Sequence, residues 1–356
     1  MYLRDCRGYW TRVVLGVDTR PLSMLCRAAL FPFSLVYGVG VAIRNGAYSM
    51  RILRSEKLPG PVVSVGNISV GGTGKTPMVE WIAKQLIEMG KRPAILSRGY
   101  GAKTQHGGEL VNEERAVLAE NVGQAPHRCD PDRVRAGRLA AQEGADCFVL
   151  DDGFQHRRAR RDLDIVLMDA TAPPLGMLLF PAGSLREPLS SLRRGDVVVL
   201  THADLCSEIK RQGFRRLVTK TAPGATLVEA AHRPTALVRA GGGAEESPDA
   251  LRGKKVFAFC GIGNPESFAR TLEKLGAEIV GAVYFEDHHA YTKADCSRMI
   301  EEAGKLDAAA CVTTQKDAVK AAPLWEGGGL SVLKVRMEIV NGQEALIQKL
   351  RSAARG

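Results

Sequence analysis

The chain holds eight cysteines in 356 residues, and no two of them stand in C-x-x-C spacing. This excludes the zinc ribbon and the dithiol redox motif, and thiols scattered through a chain this long suit a reducing cytosol. A fixed-period repeat and a low-complexity tract are both missing. So is an apolar run long enough to span a bilayer. The strongest candidate, Ala28 to Ile43 ("AALFPFSLVYGVGVAI"), has 16 uncharged residues and contains Pro32, against the roughly 20 that a spanning helix needs. A signal peptide is not evident either, because the apolar region starts late and no clear small-residue cleavage site follows it. The basic run "HRRARR" (156–161) has no interleaved aromatics and no accompanying nucleic-acid fold motif. It is expected to be a solvated or phosphate-facing turn, and nucleic acid is not expected as a partner.

What is present is an ordinary globular composition, 45% hydrophobic and 25% charged, which supports a normal core. The length predicts about two domains. A net charge of +10 favours anionic partners, whether nucleotide, nucleic acid or an anionic membrane surface, without choosing among them. Arg27 and Arg44 bracket the apolar run, and Arg51 and Arg54 follow it. The arrangement predicts an element lying in the membrane interface with cationic flanks on lipid phosphates; a buried core helix is the alternative.

Beyond residue 60, apolar runs alternate with helical patterns. "PVVSVG" (61–66), "PAILS" (93–97), "CFVLDD" (147–152), "DIVLMD" (164–169) and "DVVVLTH" (196–202) are continuously apolar, the mark of strands covered on both faces of a parallel sheet. Residues 78–90 and 130–144 read as helices between them. The Gly-, Glu- and Ser-rich stretch 239–255 looks like a linker or exposed loop, and the strand–helix pattern restarts after it. The expected fold is therefore α/β: a P-loop NTPase-type, doubly wound, mostly parallel sheet with a second, smaller α/β domain and an N-terminal membrane-associating helix. Expected boundaries are 1–55 for the interfacial region, 56–225 for the phosphate-loop domain, 226–254 for the linker and 255–356 for the smaller domain.

"SVGGTGKTP" (69–77) follows a strand and opens a helix, the setting of a phosphate-binding loop. Ser69 stands where the first glycine of that motif belongs, but Gly71, Gly72 and Gly74 still let backbone amides approach phosphate. In this loop Gly71, Gly72, Thr73, Gly74, Lys75 and Thr76 would bind nucleotide. Lys75 would reach the β- and γ-phosphates, and the Thr76 hydroxyl would ligate Mg²⁺. Asp151 and Asp152 end a partner strand, as the acids of a magnesium shell would, although a turn or helix cap is the other use of such a pair. These parts imply Mg–ATP or Mg–GTP chemistry without naming the acceptor.

Several further stretches, in order, carry a resemblance: "SRGYG" (97–101), "VLDDGFQHRR" (149–158), "PAGSLREPLSSLRRGDVV" (181–198), "FCGIGNPESF" (259–268), "FEDHHAYT" (285–292) and "TTQKDAVK" (313–320). Together with the phosphate loop they resemble the tetraacyldisaccharide 4'-kinase (lipid A 4'-kinase) family. The resemblance implies transfer of the ATP γ-phosphate to the 4'-hydroxyl of a tetraacylated glucosamine disaccharide 1-phosphate, at the cytoplasmic face of the bacterial inner membrane. It also implies two α/β domains joined by a two-stranded linker, with residues 225–240 supplying part of it, an active site in the cleft between them, and a membrane-associated N-terminal helix matching 28–43.

By the same resemblance, Gln155 and His156 complete the acidic motif beside the metal, with Gln155 a ligand and His156 toward substrate. Glu187 is a carboxylate near the metal, Arg186 stands beside it, and Arg98 and Tyr100 lie near the lipid. His288 is the histidine that assists the base, with His289 the weaker candidate. One departure stands out. The family's Gly-Asp-Glu corresponds to "VNEERAVL" (111–118), which places Glu113 where the catalytic aspartate belongs. Its carboxylate can still accept a hydroxyl proton. Glu114 is the alternative if the register slips, and two solvated helix-face acids are the bland one. His106, His127, His202 and His232 lack metal-ligand spacing and are expected to be structural or exposed. The competing function is a switch-type ATPase or GTPase of the positioning or metallochaperone class, but Val70 stands where the positioning members carry a signature lysine. A non-catalytic membrane scaffold is a third possibility.

Overall fold

The computed structural model describes residues 2–99, 103–104, 110–111 and 113–355. It divides into two compact units: one of residues 10–231 and 337–356, the other of residues 1–9 and 232–336.

The chain starts in the smaller unit with strand β1 (Tyr2–Asp5), passes through a short helix, α1 (Tyr9–Leu15), and enters a 29-residue helix, α2 (Pro21–Ser49). Pro21 suits the first helical turn, where its missing N–H is not needed. Helix α2 runs through Pro32, whose lost hydrogen bond does not end it. It is therefore longer than the 16-residue apolar run in its middle, and among the described residues it is the one helix long and apolar enough to cross a membrane by length and composition.

The larger unit then builds its sheet. Strand β2 (Val62–Asn67) leads into helix α3 (Lys75–Glu88), and β3 (Pro93–Ser97) precedes a small hairpin, β4 (Lys103–Thr104) with β5 (Leu110–Val111). Helix α4 (Glu113–Asn121), β6 (His127–Cys129), α5 (Arg133–Gln142) and β7 (Cys147–Asp151) follow. Strands β8 (Leu163–Asp169) and β9 (Val197–Thr201), helix α6 (Glu208–Thr221) and the 14-residue β10 (Thr226–Arg239) complete the series. In this unit the order is β10-β9-β8-β2-β7-β3-β6, with every pairing parallel. Strands β2, β3, β7 and β9 are buried at every position, as their unbroken apolarity predicts.

The smaller unit holds β11 (Lys255–Cys260), α7 (Pro265–Lys274), β12 (Glu278–Tyr284), α8 (Lys293–Lys305), β13 (Ala310–Thr314), α9 (Gln315–Ala321) and the first part of β14 (Leu330–Asn341). Its order is β1-β12-β11-β13-β14-β10, and the β1–β12, β12–β11, β11–β13 and β13–β14 pairs are parallel. Strands β10 and β14 each begin in one unit and end in the other.

Two segments belong elsewhere than the linear reading placed them. Residues 2–9 join the smaller unit rather than the N-terminal region 1–55. Strand β1 pairs with β12, and Arg7 bonds both Asp5 (2.9 Å) and Glu266 (2.6 Å). Helix α10 (Gln343–Ala354) belongs to the larger unit rather than to 255–356, because Leu346, Leu350 and Ala354 pack into the core formed by Val63, Val65, Ile165 and Val228. Both are long-range pairings that no local pattern announces.

Candidate active site

Strand β2 ends at Asn67, and the chain turns through Ser69–Gly74 into α3. Gly71 (φ 103°) and Gly74 (φ 79°) take the left-handed conformations that a side chain would resist. Ser69 has no such backbone; it forms an antiparallel bridge to Leu185, and the Val70 N–H donates to Ser184 O at 2.7 Å. That is why a serine is tolerated at the first position of the motif. Asn67 Nδ2 donates to the buried Thr73 Oγ1 at 2.9 Å and braces the loop from within. Lys75 and Thr76 open α3, where unpaired N–H groups and the helix dipole favour an anion.

The acids stand on the neighbouring strand. Asp151 pairs in register with Val65, so the end of β7 lies beside the start of the loop. Close packing fixes the turn that follows. A Cβ on Gly66 would sit 2.6 Å from Phe154 N, so only glycine lets the "DDGFQ" turn press on β2. Asp152 adopts φ 51°, a conformation rare for a non-glycine residue and held by its partners. Its carboxylate accepts from Arg186 at 2.8 and 3.0 Å and lies 3.7 Å from Lys75 Nζ. Burial works to raise its pKa, but Lys75 and then Arg186 outweigh that and hold it below the usual range. Asp151 behaves oppositely. Burial, then the nearby charge of Glu114, pushes its carboxyl up, and Lys75 only partly offsets them.

Gln155 Nε2 donates to Asn67 O at 2.8 Å, while its Oε1 is buried with no partner among the described residues. His156 Nε2 is buried and without a partner among them in the same way. Burial, followed by Arg133 and Arg161, lowers the His156 pKa to about 4, so the ring is neutral. Arg98 is exposed at the end of β3, and its charge reaches Arg133. Tyr100 lies outside the described residues.

Glu113 and Glu114 form the first turn of α4. Glu113 is buried at 9% exposure, which removes the description of both as solvated helix-face acids. Glu114 is the member of the pair whose charge is felt at Asp151.

The structure corrects two expectations here. Glu187 was expected as a metal ligand, but both its oxygens are taken. Arg194 bonds it at 2.7 and 3.0 Å, Asn45 Nδ2 at 2.7 Å, and it is 1% exposed. Burial would raise its pKa, yet Arg194 and Asn45 hold it low, so it is an anchoring carboxylate rather than an open one. The cations Arg27 and Arg44 were expected on lipid phosphates. Arg27 instead is buried and donates to Val13 O and Asp18 O, and Arg44 donates to Gln155 O at 2.5 Å. The inward Arg27 guanidinium satisfies carbonyls at a chain turn that would otherwise lack donors, while Arg44 stays exposed and spends a donor on the Gln155 carbonyl. The run at 156–161 is partly engaged within the chain: Arg157 donates to Asn45 O and Arg161 pairs with Asp164, while Arg158 pairs with Glu56 and Asp132 at the surface.

One site cation escaped the sequence reading. Arg133 is 5% exposed, its charge couples to Asp151 and Asp152, and it donates to Asp151 O at 3.3 Å. A signal existed, since an arginine at the first position of a helix opposes the helix dipole and needs another reason to be there.

In the smaller unit, three quoted motifs converge on Asp317, which is fully buried. Its carboxylate accepts from Gly261 N (3.0 Å), Tyr291 OH (3.0 Å) and Thr314 Oγ1 (2.6 Å). Lys316 Nζ bonds Asp287 at 3.0 Å, and the His288 N–H donates to Gly261 O. His288 itself takes φ 63°. His289 is engaged structurally, stacked on Phe285 at 4.3 Å between ring centroids and 3.3 Å from Asp295.

A doubly wound parallel sheet with a glycine-rich loop between β2 and α3, and acids on the adjacent strand end, defines a P-loop NTPase-type nucleotide-binding protein. Residues 26–355 match the model of the tetraacyldisaccharide-1-P 4'-kinase family. The tetraacyldisaccharide 4'-kinase of Syntrophus aciditrophicus is 39% identical over 340 residues, covering 90% of each chain. That of Anaeromyxobacter dehalogenans is 39% identical over 342 residues, covering 92% of this chain and 90% of its own. Among solved structures, LpxK from Aquifex aeolicus in complex with ATP matches with a TM-score of 0.68 at 30% identity, over 92% of this chain and 99% of that one. The chain belongs to the tetraacyldisaccharide-1-P 4'-kinase family. Membership does not favour the switch-type alternative.

Proposed function

We propose that this protein transfers the γ-phosphate of ATP to the 4'-hydroxyl of a tetraacylated glucosamine disaccharide 1-phosphate, a lipid A precursor, at the cytoplasmic face of the bacterial inner membrane. The observation that carries this reading is the match to the kinase family over nearly the whole chain, with the "DDGFQH" and "LREP" motifs gathered beside the phosphate loop.

Phosphoryl transfer is mainly alignment and charge compensation. The amides of Gly71–Thr76 and the ammonium of Lys75 hold the phosphates, and Lys75 exchanges its contact with Asp152 for them. Arg186 and Arg133 add positive charge beside the acids. A magnesium ion suits the donor set, because Gln155 Oε1 is buried and unpartnered among the described residues and Asp151 offers a second hard oxygen. With the Thr76 hydroxyl these residues would hold it, and it would neutralise charge on the β- and γ-oxygens. Glu113 is assigned as the base that takes the sugar hydroxyl proton, with Glu114 as its competitor, and His288 as the imidazole that assists. His156 Nε2 and Arg98 are assigned to the acceptor lipid.

Helix α2 supports the interfacial location. Phe33 (65% exposed), Val36 (73%) and Ile43 (68%) lie open, together with Met50 and Ile52 just beyond it. Ser34, Tyr37 and Asn45 of the same helix are hydrogen-bonded to the larger unit, so the helix lies along that unit rather than leaving it to span a bilayer. Arg51 and Arg54 remain exposed for lipid phosphates.

The test is transfer of label from γ-³²P-ATP to the disaccharide 1-phosphate lipid, with a lipid-free control. Lipid-dependent formation of a 4'-phosphorylated product is expected. Slow hydrolysis that ignores the lipid would sink the reading.

A further inference from the structure

The polar face of α2 grips the same two stretches that build the site. Tyr37 OH donates to Arg186 O at 2.9 Å, Asn45 Nδ2 to Glu187 Oε2 at 2.7 Å, and Arg44 to Gln155 O. In return Arg157 NH1 donates to Asn45 O at 2.8 Å. The "DDGFQHR" turn and the "LREP" segment are thus tied to a little over two turns of one helix. Both also reach the phosphate loop directly, through Gln155 Nε2 to Asn67 O and through Arg186 N–H to Ile68 O at 2.7 Å. Arg186 then closes the circuit, one guanidinium nitrogen donating to both carboxylate oxygens of Asp152.

We infer that Tyr37 and Asn45 are positioning residues for phosphoryl transfer: helix α2 presents an apolar face outward and, with these two side chains, sets the Arg186–Asp152 pair against the phosphate loop. The inference rests on the kinase reading. Neither side chain touches Asp152. They act by holding the main chain of Arg186 and the carboxylate of Glu187, and so fix where the Arg186 guanidinium starts. A displacement of about 1 Å at such a group is enough to lower a transfer rate by an order of magnitude or more. A consequence is that removing α2 outright would not test membrane anchoring alone.

The experiment uses the full chain, ATP and the disaccharide 1-phosphate lipid in detergent micelles. Transfer kcat, binding to phosphatidylglycerol vesicles and Tm are measured for Tyr37→Phe, Asn45→Ala and Ser34→Ala. Ser34 is the comparator, since it anchors the same helix by donating to Leu179 O and accepting from Ala182 N, three residues before "LREP", without bonding Arg186, Glu187 or Gln155. For Tyr37→Phe and Asn45→Ala we expect kcat to fall about tenfold with vesicle binding kept, whereas Ser34→Ala lowers Tm and leaves kcat near the parent value. In an Arg186→Ala background the Tyr37→Phe loss should vanish, because the group being positioned is gone. Parent-like kcat in Tyr37→Phe, an equal kcat loss in Ser34→Ala, or full additivity with Arg186→Ala would each overturn the inference. Tyr37→Phe removes one oxygen only, so it carries the test if Asn45→Ala fails to fold. A parent enzyme that never phosphorylates the lipid would count against the kinase reading instead.

Discussion

The two units share an architecture, and one buried carboxylate in each, Asp151 and Asp317, is used in the opposite way. In the larger unit Asp151 is buried, its carboxylate accepts no hydrogen bond among the described residues, and its pKa is pushed up. In the smaller unit Asp317 is just as buried, and burial raises its pKa too, but it accepts three hydrogen bonds from three separate motifs. An unsatisfied buried acid is costly and persists where a ligand completes it; a satisfied one is a fastener. The larger unit therefore carries chemistry in waiting, and the smaller unit carries a braced loop with His288 on it.

The comparison breaks first at Lys75. Lys75→Ala should lower transfer by about a thousandfold or more, since it removes the loop's one side-chain charge on the phosphates; turnover near the parent rate would take the loop out of the mechanism. Next, Glu113→Gln should reduce kcat by about a hundredfold with little change in ATP affinity. If Glu114→Gln is the crippled variant instead, the base is the residue whose charge Asp151 feels.

Asp317→Ala tests the fastener. It strands the Gly261 N–H and two hydroxyls, and should destabilise the smaller unit by about 3 kcal/mol. Urea unfolding followed by Trp325, which stacks on Phe259 in that unit, reads the effect; an unmoved midpoint would refute it. The smallest effect expected is acid sensitivity in the larger unit. Burial, with Arg115 adding to it, lowers the His127 pKa to about 4 from 6.5. The folded form resists protonation that the unfolded form accepts, so stability is complete above about pH 6.5 and declines as the pH falls toward 4. At pH 5 the loss from His127 is about 2 kcal/mol. Fluorescence of Trp81, packed on the larger unit's core, should report unfolding at a pH that His127→Gln shifts downward. An unshifted transition would mean that another group controls it.

The nucleotide loop is legible in the sequence itself. The phosphate loop is local: strand, glycines, Lys75, Thr76 and helix follow one another, so spacing alone implies the chemistry. The strands were legible because continuous burial writes itself as continuous apolarity. The anchoring of Glu187 was not legible because its partners, Arg194 and Asn45, come from different elements. Arg133 reads as an ordinary helix residue, and two of the three donors to Asp317 reach it only through the fold.

By itself the sequence determined the α/β class, the nucleotide loop with its adjacent acids, and an apolar N-terminal element, because each is a pattern between residues close in the chain. Only the tertiary structure decided which carboxylates stay open, that Arg27 turns inward and Arg44 reaches the Gln155 carbonyl, that residues 2–9 and α10 change units, and that α2 clamps two motifs more than a hundred residues away. Those outcomes depend on which distant donor reaches a buried acceptor, and hydrogen bonding at 2.5–3 Å leaves no periodic trace in the chain.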